Sequence, residues 1–381
     1  MVMVSVGYTK EVLTYSLFME PQTRAKYIKI AAAFLGAVIL IVAGYFFYTK
    51  VYPGTKSEQS GGNKIPLQGQ VSFKGKPAPV KPFELTGKLY LSLLKNDPQD
   101  VPRLYTYAPG EASTSVKVLS IDRPEKNGSF SLSPSISSDG KKMVFARGEA
   151  PASGKIADSV MQIYTSDISG KNVTKITSAA EVFKRDPVFS PSGNLIAYIA
   201  RENIVSVNPD LPESWTTYLT DNKGVFVKVA NGTNPIFSPD GKTLLIIQKD
   251  GVYSFNISDW KKPVAGKFVF FTSTNRETYS SKMTVSPDGT MLAISSDIGV
   301  SVSKINWETF KLDRLMLVST NASWLTFSPD GKYLAISEWR KGNDGNGYPV
   351  LMGYDLSNGA SEELLNVSAY DKAYIWLGSW K

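Results

Sequence analysis

The side chains that could do chemistry in this chain are a restricted set. Its 381 residues include no histidine and no cysteine. Without histidine no Ser-His-Asp triad can be assembled, and the commonest transition-metal ligand is missing. Without cysteine there is no thiolate nucleophile, thiolate metal site or disulfide. GxSxG, P-loop and GxGxxG patterns are absent as well. Carboxylate, lysine and tyrosine chemistry remain, together with oxygen-ligated calcium. The carboxylates recur at a regular spacing. Asp139, Asp240, Asp288 and Asp330 each precede a glycine (Gly140, Gly241, Gly289 and Gly331), and FSPSGN repeats the pattern at Gly193 with serine in place of the acid. Such an array could bind metal or substrate, but Ser-Pro-Asp-Gly is a turn that uses its own aspartate. Proline presets φ, aspartate bonds the backbone ahead of it, and glycine accepts a positive φ. These residues are therefore assigned to structure.

A second set is charged and aromatic: Arg147, Lys184, Arg185, Asp186, Arg201, Arg276, Tyr279, Arg340 and Tyr348. Arginines of this kind grip carboxylates or phosphates through a planar fork of donors. GNDGNG at 342–347 has the oxygen-rich look of a calcium loop but neither the spacing nor the closing acid, and reads as a hairpin. No catalytic residue, metal site or cofactor is expected. The six Asn-Xaa-Ser/Thr sequons arise freely in turn-rich sequence and decide nothing.

The elements that must position both sets follow from the turns. The turn glycines stand 53, 48, 48 and 42 residues apart. A period of 40 to 50 residues with several short strands per unit marks a β-propeller. Each turn is preceded by a short apolar strand (PVFS, PIFS, WLTFS) and followed by another (LIAYIA, LLIIQ, YLAIS), and two more strands complete most units. The turn thus joins the first and second strands of a blade. One period back from Gly140 lies Gly87, in LTGKLYLSL; one period beyond Gly331 the chain reaches AYIWLGSWK. A strand over about 372–377 is therefore expected to be the inner strand of a blade whose other strands lie near 87–94, 102–108 and 115–120. Such closure pairs the edges that would otherwise be exposed. Six blades over 84–381 result.

At these residues the sequence resembles the PD40 or TolB-type propeller repeat, with its F/W-S-P-D-G-K-x-L/I-A-Y/F signature. The resemblance implies the fold over nearly all of 84–381. It does not imply one function, because similar repeats occur in periplasmic TolB proteins, in the gating propellers of prolyl-oligopeptidase-like peptidases and in some polysaccharide lyases. The α/β domain of TolB proteins, the hydrolase domain of the peptidases and the histidines of the lyases have no counterpart in this sequence.

Charge locates the remaining segments. Residues 1–85 hold ten Lys/Arg against four Asp/Glu, whereas 86–381 hold 32 against 30. The excess flanks Ile30–Tyr48, 19 residues without a charge, rather than marking a nucleic-acid face. Nineteen helical residues span about 28 Å, close to a bilayer core. The denser basic cluster (Arg24, Lys26, Lys29) precedes the span, so the N-terminus is expected in the cytoplasm and the rest outside. The expected organisation is a cytoplasmic tail (1–27), an uncleaved transmembrane helix (28–49), a Gly/Ser/Pro/Lys linker (50–83) and an all-β, six-bladed propeller (84–381).

Second-to-third loops and blade-to-blade loops lie opposite the corner turns. Several are long: Arg147–Ser159, Arg201–Ser214 and Arg340–Tyr348; FKRD (183–186) and TNRETY (274–279) join them. Long polar loops on a rigid scaffold are where binding usually sits. The expected function is therefore a non-enzymatic, membrane-anchored module that binds a protein, peptide or envelope polymer. The alternative is a hydrolase or lyase acting through channel carboxylates.

Overall fold

The structure is a computed structural model. It describes residues 83–95, 101–109, 116–119, 129–149, 160–178, 183–201, 214–270, 282–296, 299–318, 322–341, 347–367 and 372–381. The tail, the membrane span and nearly all of the linker lie outside them, as do Arg276 and Tyr279.

The described residues form 24 strands in six antiparallel four-stranded sheets, one per blade. Blade 1 takes β1 (Leu89–Lys95), β2 (Arg103–Tyr107) and β3 (Lys117–Val118) from the start of the propeller and β24 (Lys372–Trp380) from its end. Blade 2 is β4 (Ser129–Ile136) to β7 (Thr174–Lys175), and blade 3 is β8 (Phe183–Phe189) to β11 (Phe226–Asn231). Blade 4 is β12 (Thr233–Phe237) to β15 (Val264–Phe270), and blade 5 is β16 (Met283–Val285) to β19 (Leu312–Leu317). Blade 6 is β20 (Ala322–Phe327) to β23 (Ser361–Asn366).

The second strands explain the stacking. Leu195–Arg201 (β9) and Thr243–Gln248 (β13) are almost continuously apolar because both faces of a blade's middle are covered by neighbouring blades. Ile196, Tyr198, Leu244 and Ile246 are at most 1% exposed. The outer strands face solvent, and the charge follows: Leu312–Leu317 (β19) alternates exposed acid, arginine and leucine.

Ring closure occurs where the period places it. Leu89 pairs with Trp380, Leu91 with Leu377 and Leu93 with Ile375. The backbones of Lys88 and Lys381 bond to each other in both directions, and the Trp380 indole donates to the Thr86 carbonyl at 2.8 Å. The closing strand runs to Trp380, three residues beyond the expected Leu377, because those last residues complete the ladder with Leu89.

Each corner turn is built as its residues suggest. The glycine amide donates to the turn serine carbonyl at 2.8–2.9 Å in all five copies. The aspartate accepts from the backbone two residues on, as Asp240 does from the Lys242 amide at 3.0 Å. Serine adds a role that the sequence reading did not assign: the Ser238 hydroxyl donates to Asp240 at 2.6 Å and accepts from the Thr243 amide at 2.9 Å. The corners also touch one another. A β-carbon added to Gly289 would stand 2.2 Å from the Pro239 ring of the preceding blade. One added to Gly87, at the closing corner, would meet Pro329 at 2.9 Å and the Lys381 carbonyl at 2.7 Å. The hexapeptide is thus a turn within its blade and a spacer between blades.

Candidate binding channel

The six inner strands β4, β8, β12, β16, β20 and β24 surround a central channel. Three of them carry the same irregularity. Ser133, Asp186 and Asn234 have left-handed φ values of 53°, 51° and 50°, each precedes a proline, and each coincides with a shift in strand register. Asp and Asn tolerate this conformation, and proline takes the position where the ladder has lost a hydrogen bond. The bulge turns these side chains towards the channel. Counting back four residues from each turn serine, and from Lys381 in blade 1, gives the whole tier: Ser133, Asp186, Asn234, Lys282, Trp324 and Leu377.

A polar bridge crosses the channel at this tier. The Lys282 ammonium donates to Asp186 Oδ2 at 2.9 Å across two blade steps, and the Ser133 hydroxyl donates to Asp186 Oδ1 at 2.6 Å. Lys282 Nζ also lies 3.8 Å from the centre of the Trp324 ring. Arg185 Nε is 3.6 Å from Asp186 Oδ2. Burial would raise the Asp186 carboxyl, but the charges of Lys282 and Arg185 and the Ser133 hydroxyl outweigh it and hold the group down to about 2. Lys282 is held below its ordinary value, because burial outweighs the attraction of Asp186. Asp186 is thus ionised at neutral pH with both oxygens occupied. Asn234 completes the tier by accepting from the Met283 amide.

The bridge divides the channel. On the corner-turn side lies a cavity of about 220 Å³, whose lining runs from Ser133, Asp186 and Lys282 to Pro287 and Lys381 at the turns. Arg185, one residue nearer the long-loop end, lies outside that lining. Its guanidinium stacks 4.2 Å from the centre of the Trp215 ring, while Arg201 lies 5.1 Å from the same ring and 5.2 Å from Phe183. Further round this end, Tyr374 meets Trp339 edge-on at 5.5 Å and Trp376 in parallel at 5.7 Å. Trp339 and Tyr374 are 38% and 46% exposed.

The residues expected at a partner face are distributed unevenly. FKRD, expected as a blade-to-blade loop, is the start of strand β8: Phe183, Lys184 and Arg185 pair with Arg201, Ala200 and Ile199. Charge alone suggested a loop, but alternation decides it. Lys184 points inward, is 0% exposed, and donates to Gln162 Oε1 at 3.0 Å. Arg185 points the other way and is the partly exposed cation at the mouth. Asp186 is buried in the bridge, and Arg201 ends β9 beneath the mouth. Arg147 lies in β5 (Lys142–Glu149), half-buried. The Arg340–Tyr348 loop is shorter than expected, since Arg340 pairs with Tyr348 in the β21–β22 ladder. Arg340 is held by its own blade, 3.6 Å from Glu363 and 3.8 Å from Glu338. Lys282 and Trp324 were not singled out from the sequence, although aligning the repeats on the turn serine would have put both in the Asp186 tier.

No family model matches this chain, and no curated protein matches it. Solved structures do. TolB from Acinetobacter baumannii matches with a TM-score of 0.52 at 19% identity, over 78% of this chain and 68% of that one. A chain of a nidogen/laminin complex matches with a TM-score of 0.52 at 10% identity, over 77% of this chain and 98% of that one. Hydrazine synthase from Kuenenia stuttgartiensis matches with a TM-score of 0.52 at 11% identity over 77% of this chain, which spans 46% of that protein. Identities this low bear on the fold alone. The described residues have an all-β, six-bladed propeller fold similar to that of TolB.

Proposed function

We propose that the protein is a non-enzymatic binding module, presented outside the membrane by an N-terminal anchor at 28–49, and that its long-loop end engages a protein, peptide or envelope polymer. The observation that carries this reading is the state of Asp186. It is the one acid in the channel tier, and its carboxylate is already bonded to Lys282 and Ser133. Hydrolysis by carboxylates needs two of them, one poised to give or take a proton. A carboxyl held down to about 2 and bonded at both oxygens suits neither role. The long-loop end instead offers rigid holding groups: Arg185 fixed on Trp215, and the exposed Trp339–Tyr374 pair. Phe83 packs at a tilt against Tyr333, the residue that follows the corner turn of blade 6.

The test uses the full-length protein in detergent micelles with envelope polysaccharide and envelope protein extracts. Retention of a component without turnover is expected, weakened by Arg185→Gln. Release of reducing or unsaturated sugar ends, or of cleaved peptide, that disappears in Asp186→Asn would refute the reading in favour of the carboxylate hydrolase or lyase.

A further inference from the structure

The corner-turn face of the propeller is electrically lopsided. In blades 2 to 6 the turn between the third and fourth strands lies beside that blade's corner turn. The Ile168 amide donates to the Lys141 carbonyl at 3.0 Å, Ile257 to Lys242 at 2.8 Å, Ile305 to Thr290 at 3.0 Å and Leu356 to Lys332 at 2.9 Å. In blade 3 the Asn222 side chain reaches the Gly193 carbonyl at 3.4 Å. Both turns of a blade therefore present their tips on one face. The third-to-fourth turn of blade 1 lies partly outside the described residues, so the comparison runs over blades 2 to 6.

In blades 2 to 4 these turns are 137–142, 167–176, 190–195, 221–228, 238–243 and 256–266. They hold nine lysines against five aspartates, a net charge of +4. In blades 5 and 6 they are 286–291, 305–314, 328–333 and 355–363, with three Lys/Arg against seven Asp/Glu, a net charge of −4. The nine lysines are all exposed, and among the described residues none has an ion pair within 4 Å. The nearby aspartates are occupied by their own turns. Asp167 accepts from the Lys171 amide at 2.8 Å and the Ser169 hydroxyl at 2.6 Å, and Asp221 from the Lys223 and Val225 amides at 2.9 Å. The two lysines of the acidic half are paired instead, Lys311 with Asp313 at 3.2 Å and Lys332 with Asp330 at 3.6 Å.

Apolar exposure follows the same division. Val173, Val225, Phe226 and Val264, on the basic half, are 39–62% exposed. Over the matching stretches of blades 5 and 6 no large apolar side chain is exposed to that degree, and Phe310 and Leu312 are half-buried. The four stand at or beside hairpin tips on three neighbouring blades, and none lines the channel cavity. Dispersed lysines with aliphatic and aromatic tips between them match a surface that is anionic at its face and apolar just beneath. A folded acidic protein would have to fit three separate tips at once.

We propose that the corner-turn face of blades 2 to 4 rests on an anionic lipid surface, with the lysines at headgroup level and Val225, Phe226 and Val264 entering beneath them. This deepens the reading above and rests on it, because a chain anchored at 28–49 has a bilayer as its constant neighbour. Each lysine brought to an anionic surface strengthens attachment about fivefold.

The chain has no cysteine, so one introduced cysteine reports one position. Full-length protein is reconstituted into vesicles of phosphatidylcholine, alone or mixed with phosphatidylglycerol. It carries an environment-sensitive fluorophore at Val225→Cys, at Val264→Cys or, on blade 6, at Ser361→Cys, and a nitroxide-bearing lipid is the quencher. In the phosphatidylglycerol vesicles the first two labels should be quenched at least about fivefold more than the third. Lys223→Glu, Lys228→Glu, Lys261→Glu and Lys262→Glu together should bring them down to the level of Ser361→Cys. Equal quenching at the three positions, or quenching indifferent to phosphatidylglycerol or to the charge reversal, would overturn the proposal. Labels that escape the lipid quencher but shift in emission when polyglutamate is added would overturn it in favour of an acidic protein partner. Alkaline carbonate washing of the same vesicles judges the anchor separately. A chain that stays with unquenched labels keeps the anchor and loses the lipid-facing surface. A chain that washes out after its labels were quenched loses the anchor and keeps the surface.

Discussion

Breaking the Asp186–Lys282 bridge one side at a time separates a structural lock from an incidental contact. Asp186→Asn keeps a side chain that tolerates the left-handed backbone at this position. It leaves the Lys282 ammonium buried against Trp324 with no anion, at a cost of about 3 kcal/mol or more. Lys282→Met leaves Asp186 with the Ser133 hydroxyl and with Arg185 at 3.6 Å, so the loss lies near the low end of the same range, about 3 kcal/mol. The double variant removes both charges, and neither penalty of an unpaired ion remains. It should therefore cost no more than about 3 kcal/mol, against about 6 kcal/mol for the sum of the single effects, a coupling energy of about 3 kcal/mol or more. The pKa shift supports this scale. A carboxyl lowered from 3.8 to about 2 favours the ionised folded state by about 2 kcal/mol. The lowered Lys282 acts in the opposite sense at neutral pH and returns part of that gain. Urea unfolding of wild type and the three variants, followed by circular dichroism and tryptophan fluorescence, measures the cycle. Single effects that add to within about 0.5 kcal/mol would refute the bridge as a coupled unit.

Two further outcomes follow. Asp186 and the turn aspartates Asp139, Asp240 and Asp288 all sit below the ordinary carboxylate value, the turn residues chiefly through the preceding serine hydroxyl. A lowered folded pKa gives stability that is complete above the unfolded value and lost as protons bind. Thermal stability should therefore be flat above about pH 5 and fall between about pH 4 and about pH 2; a midpoint that stays level across that window would contradict the assignment. Among the corner glycines, Gly289→Ala should destabilise more than Gly140→Ala. Both have a positive φ, but only the methyl at Gly289 strikes a neighbouring proline, whereas that at Gly140 meets nothing within 4 Å. Gly140→Ala should cost about 1–2 kcal/mol, and equal losses at the two sites in urea melts would show that corner-to-corner contact is unimportant.

The sequence carried the architecture because a propeller is a periodic object. One corner turn, written twice as FSPDGK and three times in variant form, sets the corners, and their spacing sets both the blade count and the point where the ends meet. The channel was harder to read because its residues are equivalent in position but not in kind. Ser133, Asp186, Asn234, Lys282, Trp324 and Leu377 share one tier and no common chemistry, so no motif announces them. Their interaction joins residues 96 apart and depends on the ring being closed. Lys184 misled for a related reason. A lysine in a charged run reads as solvated, yet alternation along β8 turned it inward onto Gln162 while its neighbour Arg185 reached the mouth.

All of this depends on the first and last strands meeting. Hydrogen exchange read by mass spectrometry on the full-length protein tests that meeting most directly. Peptides covering Lys372–Trp380 and Leu89–Lys95 should exchange as slowly as those covering the buried second strands at Leu195–Arg201 and Thr243–Gln248. Complete exchange of the C-terminal peptide within seconds, while the second strands stay protected, would mean an open ring without the channel described above.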